Sequence, residues 1–344
     1  MKFEAITIKD IAKALGLSPS TVSRALRDSY EIGEETKKKV QAFAREHNYR
    51  PNPVALSLKE QRTRSIGIVV AEIANMFFSQ IIDGVESVAY SKGYNVIITQ
   101  SKESVEKENL ILDYLTSRSV DGLIISVSAE TEDFSQFQQL KNKGMPIVFV
   151  DRVSNEIDSH KVVVDNNLGA YQATKHLIEN GRKNIAIVCN NLNLSITKDR
   201  IAGCEKAITE SGMAFNPNQV KYCNYGGNIK TEVEKAMSQL FKQKKKPDGI
   251  VSLSDRLSIE IIRYLTQKGI KIPDQVALIG FSNTKNTELL NPSLSIIRQP
   301  AFEMGEKAAT LLLQTIESKR PVTEFETTIL APEMVTRNST QKKK

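Results

Sequence analysis

From residue 65 onward the sequence alternates short apolar runs with longer amphipathic stretches, and this alternation restricts the fold more than any other feature. The runs at 66–70, 94–99, 122–127, 147–150, 162–164, 185–189, 250–253 and 276–280 are rich in Ile and Val. Such continuous runs are what strands buried on both faces look like. Between many of them, stretches such as 78–92, 168–180 and 198–211 place apolar residues three and four apart, the helical period. Strand–helix alternation predicts parallel sheets joined by right-handed crossovers. Sheets of this kind bind ligands beyond the carboxyl ends of their strands. The sequence has no G-x-G-x-x-G, no G-x-x-x-x-G-K-[ST] and no G-x-S-x-G. Dinucleotide, phosphate-loop and hydrolase chemistry therefore lose their sequence support.

A chain of 344 residues predicts about two to three domains. No apolar run approaches the roughly 20 residues of a membrane span. Glu4 and Asp10 fall where a signal peptide carries its apolar stretch, so a soluble, cytoplasmic protein with no membrane partner is expected. Cys189, Cys204 and Cys223 show no C-x-x-C spacing and read as reduced thiols. His47, His160 and His176 are far apart in sequence, and neither a metal nor a cofactor is expected. The net charge of +7 is unevenly placed. Residues 1–64 hold 13 Lys and Arg against 8 Asp and Glu, while the remainder holds 34 against 32. A basic head on a nearly neutral body points to a polyanion partner for the head.

The head reads TIKDIAKALGLSPSTVSRALRD from Thr7. Thr7 and Asp10 form a capping-box variant, and Ile8, Ile11, Ala12 and Leu15 share one helical face. Gly16 ends that helix, Ser18 caps a second, and Pro19 sits at its first position, where a missing N–H costs nothing. Val22 and Leu26 form the buried stripe of the second helix. A third helix is expected over 34–47, burying Val40, Phe43 and Ala44. Two short helices around a tight glycine turn are the helix-turn-helix pattern, whose second helix enters the major groove. That helix exposes Ser20, Thr21, Ser23, Arg24 and Arg27, side chains suited to phosphates and to base edges. The stretch NYRPNPVALSLKEQRTRS follows as a proline-started linker with a short helical pattern. It is a candidate to fold only in the minor groove of DNA.

In the phrases TIKDIAKALGLSPSTVSRAL, TKKKVQAFAREHNYRPN and NPVALSL the head resembles that of the lactose-repressor (LacI/GalR) family. The resemblance implies DNA contacts from Thr7, Ser18, Pro19, Ser20, Thr21, Ser23, Arg24 and Arg27, and from Asn52, Ala55 and Leu58 in the hinge, with Leu58 as the minor-groove wedge. The phrases SIGIVV, FFSQIIDGVESVAYSKGYNVII, SVDGLIIS, PIVFVDR, DRIAGCEKAI, KIPDQVALIGFSN and PSLSIIRQP extend the resemblance to the family's two-lobed, periplasmic-binding-protein-like sensor. The expected division is a DNA-binding head at 1–50, a hinge and linker at 51–64, a sensor at 65–334 and a basic tail at 335–344. Lobe 1 would take 65–163 and 293–322, and lobe 2 would take 166–290 and 327–334, with chain crossings near Asp165, Asn291 and Glu324.

The resemblance also implies a small-molecule effector in the cleft, sugar-like by family habit. Phe77 and Phe78 would stack on it, one of them being core because both cannot face the cleft from one helix start. Ser126, Asp151, Arg200, Ser254, Asp255 and Ser282 would be polar contacts. Where many relatives carry Asn-Asp this chain has Ser254-Asp255, and where they carry acidic residues in a GFDD-like phrase it has Ser282-Asn283, which leaves the effector open. The implied function is a transcription regulator, a repressor by family habit, that binds a pseudo-palindromic double-stranded operator as a homodimer. One helix-turn-helix reads only a half-site, so two-fold symmetry is needed. The alternative is a solute-binding protein of the same sensor fold. An enzyme on these lobes lacks a nucleophile–base pair.

Overall fold

A computed structural model describes residues 6–49 and 62–341, which divide into two compact units at Arg64–Ser65. The first unit holds helices α1 (Ile8–Leu15), α2 (Pro19–Leu26) and α3 (Glu34–Glu46). The capping box forms as expected. The Thr7 hydroxyl accepts the Asp10 N–H at 3.3 Å, and the Asp10 carboxylate accepts the Thr7 N–H at 2.9 Å. Gly16 closes α1 with φ of 65°, a left-handed conformation that a side chain would penalise. Ile11, Ala12, Val22, Ala25, Val40 and Ala44 form a fully buried core, with Ile8, Leu15, Leu26 and Phe43 packed around it.

The second unit is a pair of lobes built on one plan. Lobe 1 contains β1 (Ser65–Val70), α4 (Met76–Ser91), β2 (Asn95–Gln100), α5 (Val105–Ser117), β3 (Gly122–Ile125), α6 (Ser135–Asn142), β4 (Ile147–Val150) and β5 (His160–Val164). Lobe 2 starts with α7 (Asn166–Glu179), then β6 (Ile185–Cys189), α8 (Ser195–Glu210), β7 (Val220–Tyr222) and α9 (Lys230–Phe241). It continues through β8 (Gly249–Ser252), α10 (Asp255–Gln267), β9 (Ala277–Phe281) and β10 (Ser295–Arg298). The chain then returns to lobe 1 for α11 (Ala301–Glu317) and β11 (Thr327–Leu330), and ends in lobe 2 with β12 (Glu333–Val335). The lobe 1 sheet runs β11-β5-β4-β3-β1-β2, all parallel. The lobe 2 sheet runs β12-β10-β9-β8-β6-β7, parallel except for β12.

Strand pairing corrects two of the expected crossings. Residues 295–298 pair with β9 in lobe 2, so the second crossing lies at Gln299–Pro300 rather than near Asn291. Residues 327–330 pair with β5 in lobe 1, so the third lies at Ala331–Pro332 rather than near Glu324. The segment 327–334, expected in lobe 2, in fact contributes to two strands in different sheets. Pro332 has no N–H to give a ladder and a fixed φ, so the apolar pattern breaks there. Residues past 334 are also not a simple tail. The Ser339 hydroxyl donates to the Leu278 carbonyl at 2.6 Å and accepts the Ser295 N–H at 2.8 Å. The Thr340 hydroxyl meets Ser295 Oγ at 2.7 Å and His176 Nε2 at 2.8 Å.

Helix α4 crosses α11 at two glycines. A Cβ at Gly84 would come within 2.1 Å of the Phe302 carbonyl oxygen, and one at Gly305 within 2.1 Å of the Ile81 oxygen. The helices therefore touch backbone to backbone, which seats both on the lobe 1 sheet. Gly84→Ala is expected to lower stability by about 1–3 kcal/mol through overpacking, outweighing a helix-propensity gain of at most about 1 kcal/mol. A lower urea midpoint at unchanged m-value measures it; a midpoint at or above wild type would mean that the crossing can widen without cost.

Candidate functional site

The first unit presents the start of α2 to solvent. Ser18 caps the helix by accepting the Thr21 N–H at 3.1 Å, and its hydroxyl touches those of Ser20 at 2.7 Å and Thr21 at 2.8 Å. Pro19, Ser20, Arg24 and Arg27 are exposed, with Thr21 and Ser23 half-buried beside them. Arg27 folds back on Ser23, donating to its carbonyl at 3.2 Å and to its hydroxyl. Arg24 pairs with Glu31 at 3.1 Å in the open. A hydroxyl cluster at the helix N-terminus, with guanidinium groups in its last turn and at its C-cap, makes a surface chemically suited to phosphates and base edges. Thr7 serves first as the cap of α1. Asn52, Ala55 and Leu58 lie outside the described residues.

In the second unit, the carboxyl ends of the strands from both sheets converge on one open cavity, about 690 Å³ of empty space counting its solvent-filled mouth. Of the cleft residues expected from sequence, Phe77, Phe78, Asp151, Arg200, Ser254, Asp255 and Ser282 line it and Ser126 does not. Ser126 is fully buried just past β3, its N–H bonded to the Val69 carbonyl at 2.9 Å, so it still belongs to the sheet. Phe77 and Phe78 both line the wall and both belong to the lobe 1 core, packed edge to face at 5.3 Å. The expectation that only one could face the cleft fails because the cavity runs along the end of α4.

Arg200 is the best-held group in the cavity. Its Nε donates to Asn166 Oδ1 at 2.7 Å, Nη1 to the Leu253 carbonyl at 2.7 Å and Nη2 to Gln299 Oε1 at 3.3 Å. The guanidinium lies 3.9 Å over the Phe281 ring, a cation–π contact. Burial lowers its pKa to about 10, so it stays charged at neutral pH. Asp151, which lines the cavity, adopts a left-handed φ of 63°. Burial raises its pKa above the usual carboxylate range, although Arg152 and Arg200 pull the other way. Asp151 Oδ1, Asn190 Oδ1, Ser254 Oγ and Gln299 Nε2 are buried with no hydrogen-bond partner in the protein. Ser254 occupies the N-cap position of α10, yet its hydroxyl caps no N–H and is left for the cavity. Unpaired buried polar atoms are costly, so this set is arranged to receive a polar ligand.

Residues missed from sequence complete the wall. Arg152 forms a bidentate pair with Glu103 at 2.6 and 3.0 Å, and Asn75, Asn190, Tyr225 and Gln299 also line the cavity. Arg152 follows Asp151 directly in PIVFVDR and could have been suspected on that ground. Nothing local marks the others. Three polar contacts bridge the lobes around the cavity: Arg256 to Glu72 at 2.5 Å, Asn283 to Gln80 at 2.7 Å and Asn193 to Glu132 at 2.6 Å.

The comparisons with known proteins agree with this geometry. Residues 7–52 match the profile of bacterial regulatory proteins of the lacI family. Residues 63–333 match the profile of periplasmic binding proteins and the sugar binding domain of the LacI family. The HTH-type transcriptional repressor PurR of Vibrio campbellii is 33% identical over 98% of this chain and 99% of its own. A LacI family transcriptional regulator from Enterococcus faecium, solved with bound ribose, is 29% identical over 81% of this chain and all of its own, with a TM-score of 0.70. The lac repressor dimer bound to operator and the anti-inducer ONPF shares the fold, with a TM-score of 0.84 at 22% identity over 98% of this chain and all of that one.

A prediction follows from Asp151. A carboxyl whose folded pKa is raised contributes stability below its unfolded pKa and loses it as pH rises through the folded value. At neutral pH, above the ordinary aspartate value, Asp151 therefore makes a net unfavourable contribution to stability. Asn tolerates the left-handed φ that Asp adopts here. Asp151→Asn should raise the thermal midpoint at pH 7, and the gain should shrink on acidification and vanish below about pH 4, near the ordinary aspartate pKa. A midpoint that falls at pH 7 would show that the carboxylate is held by favourable contacts instead.

Proposed function

The chain belongs to the LacI family of bacterial regulators, and on that premise we propose that it represses transcription by binding operator DNA as a homodimer under control of a small polyhydroxylated effector. The observation that carries this reading is the cavity between the two sheets, where buried, unpartnered polar atoms surround a charged arginine. Arg200 and Asp151 offer donors and an acceptor to hydroxyl groups, and Phe77 and Phe78 offer aromatic faces to the C–H side of a sugar ring. The Enterococcus faecium neighbour, solved with ribose, supports a monosaccharide or a ribose-bearing compound. None of the three histidines lines the cavity, and its groups are suited to binding rather than to catalysis. A homodimer supplies two copies of α2 for the two half-sites of a palindrome. A DNA partner supports a cytoplasmic location, and no described helix is long and apolar enough to cross a membrane.

Two variants separate the two halves of the reading. Arg24→Ala should weaken specific operator binding by about 1–3 kcal/mol, measured by gel shift on a genomic fragment selected by the wild type. Unchanged affinity would remove Arg24 from the interface. Arg200→Ala should leave operator affinity unchanged while abolishing the thermal stabilisation given by the active sugar in a panel that begins with ribose. At about 100 times its dissociation constant that sugar adds about 2.7 kcal/mol to the wild type. If no member of the panel stabilises the wild type, the effector is not a simple sugar.

A further inference from the structure

Asn283 occupies a position the effector reading leaves unexplained. It is 6% exposed and lines the cavity beside Ser282, but its amide is taken up by protein partners. Its Oδ1 accepts the Gln299 N–H at 3.0 Å, and its Nδ2 donates to the Gln299 carbonyl at 2.7 Å. The same Nδ2 donates to Gln80 Oε1 at 2.7 Å. Gln299 is the last lobe 2 residue before the second crossing, and its side chain accepts from Arg200 at 3.3 Å. Gln80 lies on α4, one turn from Phe77 and locked to α11 through Gly84 and Gly305. A continuous chain of hydrogen bonds thus runs from the cavity arginine, through the crossing, to the rigid helix pair of the opposite lobe.

We propose that Asn283 is a positioning residue that ties the orientation of Arg200 to the angle between the lobes. The amide is required at this position. One oxygen accepts and one NH₂ donates twice, whereas an aspartate keeps the acceptor but turns a carboxylate toward two oxygens. The proposal rests on reading the cavity as the effector site, because that reading gives the Arg200 end of the chain its signal. Effector contact at Arg200 would then act on the crossing through Gln299, and on lobe 1 through Asn283 and Gln80. A conformational change needs such a differential contact between its two states.

The test uses the full chain without DNA or small molecule. Nitroxide labels on Lys107→Cys and Lys198→Cys, both exposed and near the cavity ends of α5 and α8, report the distance between the lobes by pulsed electron spin resonance. The native cysteines are buried, with the Cys204 and Cys223 thiols pushed up to about 12, and do not compete for label. Gln80→Leu, Asn283→Asp and Gln299→Met are each expected to broaden the distribution and move it to longer distance. Gln80→Glu keeps the acceptor oxygen and is expected to stay at the wild-type distance. A wild-type distribution in Gln80→Leu, or in either of the other two where it folds by circular dichroism, overturns the relay, as does a Gln80→Glu shift equal to that of Gln80→Leu. Gln80 is half-buried on a helix face, so its leucine variant folds even if a hinge variant does not. Failure of the operator gel shift would sink the repressor reading and leave these distances standing, so the two failures are distinguishable.

Discussion

One buried charge organises the sensor. A guanidinium taken out of water must find acceptors in the protein, or its desolvation is uncompensated. For Arg200 those acceptors are Asn166, the Leu253 carbonyl and Gln299, with the Phe281 ring beneath. Asn166 begins the helix just after the first chain crossing, and Gln299 follows the strand that precedes the second. Two of the three groups that hold the arginine thus lie at the crossings between the lobes. Any displacement of the guanidinium must be met by the crossings, which gives a binding event in the cavity a mechanical outlet.

The same economy appears in how each lobe is braced. In lobe 1 the Gly84–Gly305 contact lets α4 and α11 meet at the backbone; in lobe 2 a Cβ at Gly203 would come within 2.2 Å of the Asn167 oxygen, so α8 meets α7 in the same way. In each pair, one helix follows the lobe's first strand and the other enters directly from a crossing. Close-packed interiors transmit displacement instead of absorbing it. Each lobe is therefore braced backbone to backbone at its helix pair.

Local chemistry was legible in the sequence, and long-range partnership was not. Thr7, Gly16, Ser18 and Pro19 each act within four residues of their own position, so the head could be read directly. The strand–helix alternation gave the sheets because buried strands announce themselves by composition. The edge strands were harder. Residues 327–330 and 333–335 lie only two residues apart, and only pairing in three dimensions assigns them to different sheets. In the cavity, Asp151, Arg200 and Ser254 were found by position in family-like phrases. Asn190, Tyr225 and Gln299 sit on loops or strand ends whose sequence carries no period, and their role appears only when two lobes are brought together.

The threefold crossing also sets the order in which the protein comes into being on the ribosome. The core of the head is complete once residue 44 has emerged, whereas lobe 1 lacks α11 and β11 until residue 330 is made. At about 5–20 residues per second, that interval lasts roughly a quarter of a minute to a minute. Lobe 2 closes later still, with β12. Each nascent chain therefore carries a finished reader of one DNA half-site while the part that pairs and governs it is still being translated.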